Sequence, residues 1–155
     1  MIRTAMFAAV AAVALSGQAF AADVAGVWQT PTAGGQVEIS HCGDHLCGKL
    51  LTSNNIKANP ELKDVRNKDE AQRGRLLKGL PMLSGFKGGP TKWTDGKVYN
   101  PDDGGTYSGT IEMLSTDTLK LKGCIVVPLC KTPEWTRVKL AHKRPPPRWG
   151  RAGWG

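Results

Sequence analysis

The sequence predicts an all-β domain, a small antiparallel up-and-down β-barrel of about eight strands. Three observations carry that expectation. Four strand-like runs stand between Lys92 and Val138: Lys92–Tyr99, Thr106–Met113, Thr118–Ile125 and Glu134–Val138. Turn chemistry separates them at Asn100–Gly105, Ser115–Asp117 and the Cys124–Cys130 loop, a spacing of about ten residues that marks a meander. Upstream, four further strand candidates are joined without a credible helical crossover. Eight antiparallel strands close without exposed edges and leave room for at most one small ligand, with a flattened sandwich as the alternative.

Residues 1–21 read as a secretory leader. Met1-Ile2-Arg3 is a short positive start, Ala5–Leu15 is apolar, and Ala19-Phe20-Ala21 is a small-x-small cleavage signature, placing the cut near Ala21/Ala22. The apolar run is too short to span a bilayer, and no other segment is long and apolar enough to serve as a transmembrane span. The expected location is therefore the periplasm or outside the cell, with residues 22–141 as one barrel domain.

Gly26–Thr30 opens that domain as the first strand, and Pro31–Gly35 is a turn cluster. Val37–His41 alternates apolar and polar residues, with Val37, Ile39 and His41 on one face. Cys42 to Cys47 encloses Gly43–Leu46 as a four-residue hairpin loop, and Leu46–Leu51 returns. Thr52–Gln72 is a long polar excursion. Asn67-Lys68-Asp69-Glu70 looks like a cap and Gly74 a stop, so one short helix is expected near Lys68–Arg73. Arg75–Lys78 and Met82–Phe86 resume a strand broken by Gly79 and Pro81, and Gly88-Gly89-Pro90 turns into the meander.

The four cysteines form two tight pairs, Cys42/Cys47 and Cys124/Cys130. In an exported chain an even count reads as disulfides. Of three connectivities the two local ones are favoured, each closing a loop of about six or seven residues and contributing about 2 kcal/mol. The formal charge is +8, but Lys139, Lys143, Arg144, Arg148 and Arg151 supply five of those positive charges. The basicity belongs to residues 142–155 and their approach, a Pro/Gly/Trp tail expected to be disordered. The fold itself therefore does not read as a nucleic-acid platform, and no nucleic-acid partner is expected.

Several segments together resemble a bacterial secreted family of unknown function, DUF2147. They are Gly26-Val27-Trp28, His41–Gly48, Gly79–Leu83, Tyr99–Gly104, Lys122-Gly123-Cys124 and Trp135–Val138. The likeness runs from about Val24 to Val138. It implies a lipocalin-like (calycin-type) barrel exported to the periplasm, and it brings no established reaction. Gly26-x-Trp28 matches the short signature that lipocalins carry on their first strand. There a basic side chain from the last strand lies over the tryptophan and closes the barrel base, and Arg137 is the matching candidate.

The search for chemistry yields little. His41-Cys42-Gly43-Asp44-His45-Leu46-Cys47 has metal-ligand composition, but a Cys42–Cys47 disulfide offers no thiolates, so no metal is assigned. Asn100–Gly105 lacks the calcium-loop spacing and reads as a turn in which Asp102 terminates backbone donors. There is no Gly-x-Ser-x-Gly, and Ser84 and Ser108 have no evident base, so neither an enzyme nor a cofactor is expected. The candidate ligand-binding residues are Arg75, Met82, Leu83, Phe86, Trp93 and Tyr99, for a small hydrophobic or amphiphilic molecule. Arg73, Arg75 and Lys78 would face its carboxylate, although a solvated basic loop explains them as well. The alternative is an envelope module that meets an anionic surface through the basic tail and has no ligand cavity.

Overall fold

The computed structural model describes residues 23–126 and 128–139. The leader at 1–21 and the tail at 142–155 lie outside the described residues. Nine strands form one antiparallel sheet: β1 (Gly26–Gln29), β2 (Gln36–Cys42), β3 (His45–Thr52), β4 (Pro81–Gly88), β5 (Lys92–Asn100), β6 (Gly105–Met113), β7 (Thr118–Val126), β8 (Leu129–Lys131) and β9 (Glu134–Arg137). The sheet closes on itself. β1 pairs with β2 and β9, and β7 pairs with β6 and β9, so eight strands make the ring and only β8 stands outside it.

One edge of β7 is shared. Its first residues, Thr118–Lys120, pair with β9, and its last residues, from Gly123 on, pair with β8. Thr132-Pro133 separates β8 from β9, and the Pro133 carbonyl still accepts from the Leu121 amide at 3.0 Å. Proline donates nothing to a ladder, which is why the last strand breaks there. The hairpin alternation defines two ends. The β2–β3, β4–β5 and β6–β7 turns share the lower end with both termini of the domain. The β1–β2 turn, the 53–80 excursion, the β5–β6 turn and the β7–β8 tip share the upper end.

The period-2 pattern decides what lies inside. Val37 and Ile39 of β2, Leu46 and Leu50 of β3, Ile111 of β6, Leu119 and Leu121 of β7 and Trp135 of β9 are all buried. In β4 and β5 two backbone irregularities reset that alternation. Gly85 has φ 70° and Asp95 has φ 60°, both in the left-handed region, and the β4–β5 ladder skips from Ser84↔Lys97 to Lys87↔Thr94. Leu83 and Phe86, three residues apart, consequently both face the core, and so do Trp93 and Gly96.

Three local expectations need correction. The α-helix is Asn54–Ala58, capped by the Ser53 side chain accepting from the Ile56 amide at 3.2 Å, and it buries Ile56. Residues 68–73 contribute only a 3-10 turn, Glu70–Gln72, capped by Asp69. Arg75–Lys78 is not a strand; it makes one isolated bridge, Lys63↔Leu76. The cysteine hairpin turns on two residues, Gly43-Asp44, with Cys42 opposite His45 and Cys47 opposite Ser40. The Cys42–Cys47 disulfide is thus diagonal across the ladder, with Cα atoms 5.9 Å apart. Cys124 and Cys130 are bonded and directly opposed, with Cα atoms 4.0 Å apart.

Candidate functional site

The lower end is sealed. Trp28 is fully buried and donates its indole N–H to the Val24 carbonyl at 2.9 Å. The Arg137 guanidinium stacks on that indole, 4.2 Å from the ring centroid. Its nitrogens donate to the carbonyls of Thr116 (2.7 Å), Ala25 (2.9 Å) and Asp23 (2.7 Å), so one side chain ties the β6–β7 turn to the start of the domain. Gly26 has φ 142°, a conformation that favours glycine, and a Cβ there would stand 2.6 Å from an Arg137 nitrogen. Beside it the Asp23 carboxylate meets His41 at 3.0 Å; the Ala25 amide and then His41 hold that carboxyl below its ordinary range.

The six residues expected to line a cavity do not come together. Leu83, Phe86 and Trp93 face the barrel interior, where they are packed and buried. Tyr99 projects from the opposite face of β5. Val98, its neighbour, faces inward beside Phe86 at Gly109, and Tyr99 reaches out to Asp64 of the excursion. Extending the Leu83↔Val98 register sets Met82 opposite Tyr99 on that outer face. In a regular strand Trp93 and Tyr99 would share a face; the bulge at Asp95 separates them.

Around Tyr99 the excursion builds a saturated polar cluster. The Asp64 side chain is fully buried. Its Oδ1 accepts from the Tyr99 hydroxyl at 2.6 Å, and its Oδ2 accepts from Asn67 Nδ2 (2.8 Å) and from Arg75 Nε (3.1 Å) and guanidinium nitrogen (3.0 Å). Arg75 also lies over the Tyr99 ring, 5.3 Å from its centroid. Burial, and then the hydrogen bond to Asp64, push the Tyr99 hydroxyl up to about 12. Every group in this cluster is engaged within the protein, which makes it a fastening between excursion and barrel. Arg73 is likewise spent on the Asn67 carbonyl and Glu70.

The β5–β6 turn also differs from expectation. Asp103 performs the role expected of Asp102, accepting from the Gly105 amide at 2.7 Å, the Tyr107 hydroxyl at 2.6 Å and Asn100 at 3.0 Å. Burial opposes the Asp103 charge, but those three donors outweigh it and hold its carboxyl below the usual range.

Sequence reasoning missed a row of glycines. Gly96, Gly109 and Gly123 are consecutive cross-strand partners on the inner faces of β5, β6 and β7. The Phe86 ring covers the first two: a Cβ at Gly96 would fall within the ring, and one at Gly109 would stand 3.0 Å from it. Over Gly123 the row is open, with Tyr107 Cβ at 4.0 Å the nearest atom a Cβ would meet. The half-buried Val98 and Tyr107 flank this position, and Lys131, paired with Gly123, shares its face. The inner face therefore carries no side chain at Gly123, while the Tyr107 phenol turns away to Asp103. The signal in the sequence was three glycines at strand-interior positions, where glycine marks a close approach.

A depression of about 400 Å³ lies on the outer wall among Lys92, Thr94, Thr110, Glu112, Lys120, Lys122 and Thr132. Its floor is a cross-strand charge ladder, Lys92↔Glu112↔Lys120↔Glu134, with Lys120 and Glu112 paired at 3.4 Å. Alternating charges on a solvated face explain it without a ligand.

Among the described residues no helix is long and apolar enough to cross a membrane. A search of curated proteins finds no match. Among solved structures the chain is similar to protein HP1028 of Helicobacter pylori, described as belonging to the lipocalin family, with a TM-score of 0.68. The two are 23% identical over 76% of this chain and 84% of that one, a likeness of fold. Residues 26–137 match the family model described as an uncharacterized protein conserved in bacteria (DUF2147), and the chain belongs to that family.

Proposed function

We propose that this protein is an exported, non-enzymatic barrel that holds a small, partly apolar molecule at its upper end, over Gly123. The observation that carries this reading is the glycine row, which Phe86 covers at two positions and leaves open at the third. A lipocalin-like barrel is compatible with such a role, although fold alone never assigns function. Two formed disulfides agree with the oxidising compartment to which the leader points. The flank of Tyr107, Val98 and Lys131 suits an amphiphile with an anionic group, the apolar part lying against the strands and the amine meeting the charge.

The test is native mass spectrometry of the mature protein purified from the periplasm, with binding of an apolar fluorophore as the second readout. Gly123→Leu places a side chain on the inner face where the row is open. It is expected to abolish both the co-purifying mass and fluorophore binding while the melting temperature holds. Equal binding by Gly123→Leu and wild type would reject the site. A mature N-terminus anywhere but Ala22 or Asp23, or cytoplasmic retention, would reject the export reading.

The second reading, an envelope module acting through the basic tail, rests on the Lys143, Arg144, Arg148 and Arg151 charges with Trp149 and Trp154. Truncation after Ala141 separates the two. It leaves ligand binding intact under the first reading and removes salt-sensitive retention on anionic vesicles under the second.

A further inference from the structure

We propose that the upper end of the barrel docks on an anionic lipid surface, with the tip of the β7–β8 hairpin entering the headgroup layer. The inference stands independently of the ligand over Gly123 and of the tail.

Exposure is the first observation. Ile125, Val126 and Leu129 are 70%, 59% and 64% exposed, and Val126 and Leu129 are cross-strand partners, so the three form one apolar tip. Val65 and Leu76, both exposed, belong to the excursion at the same end. Among the described residues just one other large hydrophobic, Leu114, is comparably exposed, and it lies in the lower β6–β7 turn. Apolar side chains gathered at one end of a closed barrel mark an interaction surface.

The second observation is how the tip is held. β8 pairs with β7 alone, so the hairpin end stands outside the ring. Its backbone ladder with β7 and the Cys124–Cys130 disulfide, between directly opposed residues, hold it. A covalent clamp keeps the tip folded while its side chains remain in water.

Charge selects the occupant. Lys122 and Lys131 are exposed at the base of the tip. Residues 53–80 carry seven basic and four acidic side chains, of which Arg75 and Asp64 pair with each other, leaving six against three. Asp102 and Asp103 of the β5–β6 turn, at the same end, add two negative charges that Lys122 and Lys131 offset, so the end remains net positive. Apolar points ringed by cations match an anionic bilayer interface, where the tip enters the acyl boundary and the lysines meet lipid phosphates.

The experiment is flotation of the full mature protein, tail included, with vesicles of phosphatidylcholine and phosphatidylglycerol in equal parts. High salt screens exposed charges within a few Å, so the binding that survives it reports the apolar tip. Wild type is expected to retain binding at high salt. Ile125→Asp with Leu129→Asp should abolish that remainder and weaken low-salt binding about tenfold or more. Leu114→Asp, at the far end, should change neither. If the aspartate pair disturbs folding by circular dichroism, Ile125→Ser with Leu129→Ser carries the same test. Wild-type binding by a folded tip variant overturns the proposal. So does absence of vesicle binding, including the case where the tip instead mediates self-association or capture of an acidic protein.

Discussion

Tyr99 donates its hydroxyl to Asp64, 35 positions earlier in the chain, at 2.6 Å, and that bond fastens the 53–80 excursion to the outer wall of β5. The excursion has little else of its own to fold around: Ile56 and Leu80 are its buried apolar side chains, near its two ends. Its middle is held by polar bonds to that carboxylate, by the Lys63↔Leu76 bridge and by Arg66 donating to the Asp102 carbonyl of the β5–β6 turn.

Tyr99→Phe keeps the ring under Arg75 and removes one of four bonds to Asp64, so a loss of about 1–2 kcal/mol is expected. Asp64→Ala strands the Tyr99 hydroxyl, Asn67 and Arg75 together, and about 3 kcal/mol or more is expected. Because the ring of strands is untouched, the damage should be local. Limited proteolysis should cut within 53–80 well before the barrel unfolds. Simultaneous loss of all structure would show that the excursion is part of the cooperative core.

The same bond sets an alkaline limit. The Tyr99 hydroxyl is raised from 10.0 to about 12, so the folded state keeps a proton that the unfolded chain releases. A raised value means the contribution is complete below pH 10 and is lost as pH climbs through about 12. That rise corresponds to about 2–3 kcal/mol for this buried group. Denaturant melts across that window should fall more steeply for wild type than for Tyr99→Phe, and matching slopes would contradict the assignment.

The ring of strands was legible because its signals are local: period-2 alternation, turn residues and paired cysteines act within about ten residues. Faces were legible only where strands are regular. Gly85 and Asp95 each insert a left-handed residue, and nothing in the neighbouring pattern announces that Trp93 and Tyr99 point to opposite sides. The short helix at Asn54–Ala58 lacks an acidic first turn and was hidden among asparagines, whereas Asn67 with Glu70 three places on offered a better cap signal for what is only a turn capped by Asp69. Asp64 carried no signal at all. Asn67 and Arg75 meet it within the excursion, 3 and 11 residues away, but Tyr99 lies 35 residues on in β5 and reaches it only in the folded barrel.

Glycines in the row should respond differently to the same added methyl. At Gly96 a Cβ falls inside the Phe86 ring, so Gly96→Ala forces that buried ring to move and should cost about 1–3 kcal/mol. At Gly123 the nearest atom is 4.0 Å away, and Gly123→Ala should be neutral or slightly stabilising. Chemical denaturation of the two variants decides it. Phe86→Leu should relieve part of the Gly96→Ala penalty, a coupling that a double-mutant cycle measures.

At the lower end, Arg137 combines three backbone carbonyls with the Trp28 face, and the two effects are separable. Trp28→Ala leaves a cavity in a fully buried site and should cost about 3–5 kcal/mol. Arg137→Ala removes no core volume; it uncovers the indole and frees the carbonyls of Asp23, Ala25 and Thr116, which water can reach. About 1–3 kcal/mol is expected, most of it from the lost stacking and the loosened closure of β9 on β1. Arg137→Lys retains the charge but has no planar fork to span three acceptors, so it should recover less than half of the loss. Hydrogen exchange gives the location. The Val138 amide, bonded to Val27 at 2.8 Å, should exchange faster in both Arg137 variants while the Ile111 and Leu121 amides stay protected. Full rescue by lysine would mean that charge alone closes the barrel and that the stacking on Trp28 is incidental.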